Sequence, residues 1–184
     1  MARIEPVSVS EAAEGSRPLL EGIQRSLGMV PNMVKTLAHS PAALGAYGGF
    51  RGPLGRALTA RLREQIALVV AGANGCDYCA SAHTALGVRA GLDQAELAAN
   101  LEGESADEGT REALRFARAI VEQRGRITDE DVDRLRMAGY SDEQVVEIIA
   151  VTAWNVFTNY FNLAAATEVD FPLVDTARAF AKAG

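Results

Sequence analysis

Apolar residues recur at intervals of three and four along most of the sequence, and this period constrains the fold more than any other feature. The run Leu62, Ile66, Val69 and Val70 shows the pattern. Such spacing places apolar side chains on one face of an α-helix, whereas a half-buried β-strand needs strict alternation. Alanine, leucine, glutamate and arginine, which favour helices, are abundant. The sequence therefore predicts an all-α fold.

Capping residues and glycines divide the predicted helices from one another. A Ser, Thr or Asp often stands at the start of a helix, and a glycine often follows its end. Helices are expected near 17–27, 32–39, 59–72, 76–89, 93–99, 106–124, 128–137, 141–165 and 176–182. A further helix should start at Ser40-Pro41, and the glycine-rich stretch from Gly48 to Gly55 is expected to form a loop.

Length and charge limit the classes of function. The 184 residues, 48% of them hydrophobic, can bury the core of one domain spanning 1–184. A formal net charge of -6 disfavours a nucleic-acid binder or a membrane-surface binder, because both call for a basic patch. No secretory signal or membrane span is apparent in the sequence, so a cytoplasmic location is expected.

Both cysteines and one of the two histidines fall in the stretch from Glu64 to His83. Asn74-Gly75 is a turn signal near its middle, so the helices on either side are expected to form an antiparallel hairpin. Glu64 and His83 lie at nearly equal distances along the chain from this turn. We therefore expect their side chains to meet across the hairpin.

A Cys-x-x-Cys pair, Cys76 and Cys79, stands at the predicted N-terminus of the second helix of the hairpin. Spacings of three and four place both cysteines and His83 on one helix face. The helix dipole lowers thiol pKa values at this end. His83 can withdraw the Cys79 proton, and the Glu64 carboxylate can orient the imidazole. Tyr78 is a further candidate for the proton relay.

A metal site and a thioredoxin-like site are two other chemical interpretations of the cysteine pair. In a reducing compartment such a pair is typical of redox or metal sites. Structural zinc needs four ligands, and only His39 and His83 stand beside the two cysteines, so no bound metal is expected. A thioredoxin site would follow a β-strand, and none is predicted before Cys76. The sequence favours a redox-active dithiol.

Eight residues of the hairpin resemble the signature of the alkyl hydroperoxidase D-like proteins of the carboxymuconolactone decarboxylase superfamily: Glu64, Ala67, Asn74, Cys76, Tyr78, Cys79, Ala82 and His83. The flanks 27–32 and 159–172 look like the uncharacterized peroxidase-related branch. This resemblance implies an all-helical bundle that assembles into trimers or hexamers. It also implies a thiol-dependent peroxidase acting on organic hydroperoxides or hydrogen peroxide.

The resemblance further implies a role for each site residue. Cys79 attacks the peroxide, Cys76 resolves the intermediate as a disulfide, and Glu64 and His83 move protons. Tyr78 stands where the founding enzyme has a second histidine. An external dithiol, a lipoyl protein in the founding enzyme, restores the thiols, and no bound cofactor is needed.

Two other functions remain open on the sequence alone. A carboxymuconolactone-type decarboxylase would act on a lactone acid without redox chemistry, but enzymes of that kind lack the cysteine pair. A non-enzymatic redox sensor or assembly module would form the Cys76–Cys79 disulfide once and stop. Repeated turnover with a supplied dithiol distinguishes an enzyme from such a sensor.

The last long helix, ending near Ala165, is expected to be buried or interfacial. Asn155 and Asn159, spaced by four, could bond across a subunit contact. Its aromatic side chains are expected to pack in a core or an interface: Trp154, Phe157, Tyr160 and Phe161.

Overall fold

A computed structural model describes residues 1–177 of the chain. Within this range the protein forms nine α-helices and one short 3-10 turn, without a β-strand. In order, the helices are α1 (Arg17–Leu27), α2 (Asn32–Leu37), α3 (Pro41–Leu54), α4 (Ala60–Asn74), α5 (Asp77–Arg89), α6 (Gln94–Leu101), α7 (Glu108–Glu122), α8 (Asp129–Met137) and α9 (Asp142–Ala165). The predicted all-α fold is confirmed, while most of the helix predicted at 176–182 lies outside the described residues.

Side-chain caps explain why most helix starts were predictable. The Thr59 hydroxyl accepts a hydrogen bond from a backbone N–H in the first turn of α4. Thr128 with Asp131 and Ser141 with Gln144 form complete capping boxes at α8 and α9. Because the first N–H groups of a helix have no partner within it, such side chains fix where the helix begins.

The loop predicted from Gly48 to Gly55 is wrong, because α3 continues through the stretch to Leu54. Packing outweighs the low helix propensity of glycine here. A Cβ atom on Gly48 would lie 3.2 Å from Leu19 Cδ2, so this glycine permits the close contact between α3 and α1. Pro53 stands in the last turn of the helix, one residue before it ends.

Helix α4 lies at the centre of the fold and contacts α5, α6, α7 and α9. Every residue from 65 to 72 is buried, as expected for a helix with packed neighbours on all sides. Leu68 and Ala71 belong to one hydrophobic cluster, which also contains both cysteines. Ile66 and Val70 belong to a second cluster with α7, α8 and α9. The cysteine pair thus lies on one side of the central helix.

Helix α9 has one buried face and one exposed face. The buried face is largely polar: Thr152, Asn155, Thr158, Asn159 and Asn162. The opposite face exposes apolar side chains: Val146, Ile149, Phe157, Tyr160 and Leu163. The trimer or hexamer implied by the resemblance stays a prediction. None of the described helices is long and apolar enough to cross a membrane.

The two asparagines predicted to bond across a subunit contact instead form hydrogen bonds within the chain. Asn155 Nδ2 donates to the Val151 carbonyl one turn back, and Asn159 Oδ1 accepts from Asn74 Nδ2. The prediction is wrong because both side chains lie on the buried face of α9.

The segment after α9, residues 166–177, lies along the outside of α5. The Val174 backbone N–H donates to Ser81 Oγ at 2.9 Å, and Thr176 Oγ1 donates to Asp77 Oδ1 at 2.6 Å. Apolar side chains of the same segment pack on the cluster that contains the cysteines. This segment therefore packs on α5 and on the hydrophobic cluster to which the cysteine pair belongs.

Candidate active site

The hairpin that carries the site depends on two glycines. Gly75 ends α4 with φ at 64°, in the left-handed region that glycine adopts without strain. A Cβ atom on Gly87 would lie 2.5 Å from Leu97 Cδ2 and 3.9 Å from Glu64 Cβ. Gly87 therefore allows α5 to approach α4 and α6 closely.

The hairpin brings together the two proton-transfer residues expected from the sequence. His83 Nδ1 lies 2.7 Å from Glu64 Oε2, and the side chains are 22% and 17% exposed. A carboxylate at this distance favours the proton on Nδ1, which leaves Nε2 of a neutral imidazole free to accept a proton. Glu64 therefore orients His83 to act as a general base.

The first thiol, Cys76, is the N-cap residue of α5. It is 1% exposed, and its Sγ accepts a hydrogen bond from the Cys79 backbone N–H at 3.4 Å. A hydrogen bond from the Cys79 thiol lowers the pKa of Cys76, and the backbone N–H groups of Cys79 and Tyr78 lower it further. Burial raises the pKa but does not outweigh these hydrogen bonds. Cys76 is therefore the thiol that ionises first.

The second thiol, Cys79, lies in the first turn of α5 and is 2% exposed. Burial raises its pKa well above the ordinary cysteine value, and the hydrogen bond and charge of Cys76 raise it further. Two amides of α9 oppose this effect: Asn162 Nδ2 donates to the Cys79 sulfur at 3.3 Å, and Asn159 also lowers the pKa. In the reduced pair, Cys79 keeps its proton.

No role for Asn162 follows from the sequence. The available signal was the polar residues at helical spacing in a helix that is otherwise apolar. That pattern indicates a buried polar face, but it does not name the residue that the face contacts.

Tyr78, the candidate for an additional relay residue, has a different set of partners. Its hydroxyl donates to Asp170 Oδ1 at 2.9 Å and accepts from the Met33 backbone N–H at 3.1 Å. Burial raises the pKa of Tyr78, so the phenol stays neutral. The structure joins Tyr78 to α2 and the C-terminal segment, and its hydroxyl makes no hydrogen bond to Glu64 or His83 among the described residues.

A cleft of about 670 Å³ lies beside the hairpin. Glu64, His83 and Tyr78 line it, together with apolar side chains and four arginines. Neither cysteine lines the cleft; both lie in the hydrophobic cluster that adjoins it. Peroxide can therefore reach the sulfur only when side chains of the wall move.

The described residues combine a dithiol, an oriented acid–base pair and a mostly apolar cleft. Within residues 1–177, no group of three or more His, Cys, Asp or Glu side chains is arranged to hold a metal ion. The arrangement suits chemistry in which two thiols give up two electrons and become a disulfide.

Residues 41–123, from α3 to α7, match the Carboxymuconolactone decarboxylase family. This range contains both cysteines, Glu64 and His83. A comparison with curated proteins found no match.

Three solved structures superpose on almost the whole chain. An uncharacterized peroxidase-related protein from Silicibacter sp. TM1040 is 26% identical, with a TM-score of 0.78 over 90% of this chain and 91% of its own. The debrominase Bmp8, as a cysteine-to-alanine variant in complex with 2,3,4-tribromopyrrole, is 25% identical, with a TM-score of 0.78 over 98% and 97%.

The third structure is described as an alkylhydroperoxidase AhpD core, an uncharacterized peroxidase-related protein from Ralstonia eutropha JMP134. It is 23% identical, with a TM-score of 0.83 over 92% of each chain, and it shows the shared fold. Residues 41–123 are thus similar to the carboxymuconolactone decarboxylase family, and the fold of the chain is that of the alkyl hydroperoxidase D-like proteins.

Proposed function

We propose that the protein is a thiol-dependent peroxidase that reduces hydroperoxides through a dithiol–disulfide cycle of Cys76 and Cys79. The observation that carries the proposal is the 2.7 Å contact between His83 and Glu64, one helical turn beyond Cys79 and open to the cleft. The similarity to peroxidase-related structures over about nine tenths of the chain supports it.

The first step oxidises Cys79. His83, with its Nδ1 proton held by Glu64, takes the Cys79 proton, and the thiolate attacks one oxygen of the peroxide. The O–O bond breaks, the sulfur becomes a sulfenic acid, and the departing alkoxide takes the proton from His83 to leave as an alcohol. Glu64 stabilises the imidazolium that exists between these two transfers.

The second step closes the disulfide. Cys76 attacks the sulfenic sulfur of Cys79, the Cys76 proton passes to the departing hydroxyl, and water leaves. Asn162 and Asn159 act before this, in the first step, where they stabilise the Cys79 thiolate, since their amides lower its pKa. An external dithiol then reduces the disulfide by thiol–disulfide exchange and returns both cysteines to the starting state.

Steady-state consumption of cumene hydroperoxide and hydrogen peroxide, with dihydrolipoamide as reductant, tests the proposal. The natural protein should complete many turnovers. Cys79→Ser should complete none, while Cys76→Ser should stop with a sulfenic acid on Cys79, visible by mass spectrometry after dimedone labelling. A natural protein that consumes one equivalent of peroxide per chain in the presence of dithiol, and then stops, would establish a redox sensor instead.

A second candidate is reductive dehalogenation, which the match to the debrominase over 98% of this chain favours. The same two thiols would supply the electrons: a carbon–bromine bond becomes carbon–hydrogen, the thiols become a disulfide, and bromide and a proton leave. Bromide release from 2,3,4-tribromopyrrole with dithiol tests this reaction. Bromide release without peroxide turnover would replace the peroxidase proposal.

A further inference from the structure

Four arginines line the cleft of a chain whose formal net charge is -6: Arg51, Arg56, Arg63 and Arg89. They come from the end of α3, the loop after it, the start of α4 and the end of α5. Arg61 Nη1 also donates to the Gly91 carbonyl, which holds the end of α5 beside the start of α4. We call this part of the cleft the arginine end.

Two of the four guanidinium groups have partners within the fold. Arg63 Nη1 donates to the Ala57 and Leu58 carbonyl oxygens at 2.7 and 2.9 Å, which fixes the loop between α3 and α4. Arg51 lies beside the Tyr47 hydroxyl and partly offsets the effect of burial, which raises the pKa of that phenol. These two arginines shape the wall of the cleft.

The other two, Arg56 and Arg89, are exposed, and their side chains make no hydrogen bond or ion pair with any described residue. An arginine presents several N–H donors in a planar fork that matches a carboxylate in two parallel hydrogen bonds. Arg56 and Arg89 therefore leave this donor capacity available at the mouth of the cleft.

The carboxylates of the cleft do not neutralise this charge, because each has its own partners. Glu64 accepts from His83. Asp170 accepts from the Tyr78 hydroxyl and, at 2.8 Å, from the Asn32 backbone N–H. The unpaired charge that faces the cleft is positive, and apolar walls strengthen its field.

The spacing along α5 sets the shape of a ligand. Arg89 lies ten residues beyond Cys79, which corresponds to about 15 Å of helix axis. His83 lies between them, and apolar side chains such as Leu86 and Trp154 line the cleft. A ligand held at the arginine end would lay an apolar body along this wall and extend its other end toward the thiols.

We infer that the cleft binds amphipathic organic acids, and that the preferred substrate is a hydroperoxide carried on an apolar chain that ends in a carboxylate. This inference rests on the proposed peroxidase function and specifies its substrate class. The carboxylate binds Arg56 and Arg89, and the apolar chain places the peroxide near His83 and Cys79. The products are the corresponding hydroxy acid and water.

The test compares kcat/KM for 13-hydroperoxyoctadecadienoic acid and its methyl ester, in which a neutral methyl ester replaces the carboxylate at the distal end. The natural protein should prefer the acid by about tenfold or more, and the preference should shrink as salt is added. The double substitution Arg56→Met with Arg89→Met should bring the ratio near one. Arg126→Met, an exposed arginine outside the cleft, should keep the natural ratio.

Equal kcat/KM values for the acid and the ester in the natural protein would overturn the inference and leave the peroxidase proposal intact. If no hydroperoxide is turned over, the peroxidase proposal fails, and calorimetric titration with dodecanoate still tests the cleft. Binding that weakens about tenfold in the double variant, but not in Arg126→Met, supports the anion site. Absent or unaltered binding overturns it.

Discussion

At the turn end of the α4–α5 hairpin, Cys76 and Cys79 are 1% and 2% exposed, whereas Arg89 at the open end is exposed to solvent. The Glu64–His83 pair lies between them with intermediate exposure. Exposure therefore rises along a single helix, from the reacting sulfurs through the proton relay to the charged mouth of the cleft. Because α5 is continuous, its length fixes the distance between the thiol of Cys79 and the arginine at the mouth of the cleft, Arg89.

The largest loss of activity is expected from a substitution at the Glu64–His83 pair, in the middle of this gradient of exposure. His83→Ala removes the base for Cys79 while leaving both thiols in place. We expect kcat/KM for cumene hydroperoxide to fall by about 10²- to 10⁴-fold, the usual contribution of a general acid–base group. Stopped-flow measurement of Cys79 oxidation would separate this step from disulfide reduction.

The chain offers a matched control in its other histidine. His39 Nε2 lies 2.9 Å from the Glu5 carbonyl oxygen, and His39 does not line the cleft. His39→Ala should retain the natural rate. Equal rates for His83→Ala and the natural protein would exclude His83 as the base and point to Cys76 as the acceptor of the Cys79 proton.

The second-largest loss of activity is expected at Asn162, whose amide contacts the Cys79 sulfur. Asn162→Ala removes the donor to the Cys79 sulfur and should raise the pKa of Cys79. Since a hydrogen bond to a charged group contributes about 1.5–3 kcal/mol, we expect peroxide reduction to slow roughly 10- to 100-fold at neutral pH. The loss should diminish as pH rises and more Cys79 ionises.

Thr152→Val is the matched control for this prediction. Thr152 lies on the same buried face of α9, and its hydroxyl has no hydrogen-bond partner among the described residues. A similar loss of rate in both variants would mean that α9 acts through packing, and not through the amide of Asn162.

The close packing of α4 on α6 at Gly72 predicts a change in the free energy of unfolding. A Cβ atom on Gly72 would collide with the Leu101 backbone carbonyl, which cannot move without shifting α6. Gly72→Ala should lower the free energy of unfolding by about 1–3 kcal/mol. Gly45→Ala, on an exposed part of α3 with nothing within 4 Å, should instead raise it by about 0.5–1 kcal/mol. Urea denaturation of both variants measures the contrast, and destabilisation of equal size would contradict it.

The smallest effect is expected on the pH dependence of Cys76 alkylation when Cys79 is substituted. The hydrogen bond from Cys79 is the main cause of the lowered pKa of Cys76, so Cys79→Ala should raise that pKa. Cys79→Ser keeps a hydroxyl donor and should raise it less. At neutral pH, Cys76 alkylation by iodoacetamide should therefore be slowest in the alanine variant. The same pH profile in both variants would show that the N-cap position alone lowers the pKa.

The sequence predicts the contacts of the site that form within the hairpin, but it does not predict the contact that comes from a helix distant in the chain. Glu64 and His83 were paired because both flank one short turn, and helical periodicity fixes where they face. Asn162 contacts Cys79 from 83 positions away, and no local pattern specifies that contact. The loop predicted around Gly48 failed for the same reason, because packing against α1, not local propensity, decides its conformation.

The segment 166–177 and the end of α9 that carries Asn162 join the fold late in biosynthesis. A ribosome makes the α4–α5 hairpin some 80 residues before this segment, and domains fold as the chain emerges. During that interval Cys79 lacks the Asn162 amide that donates to its sulfur in the finished fold. The nascent chain therefore passes through a stage in which the thiol pair exists without the hydrogen bond from α9 that lowers the pKa of Cys79.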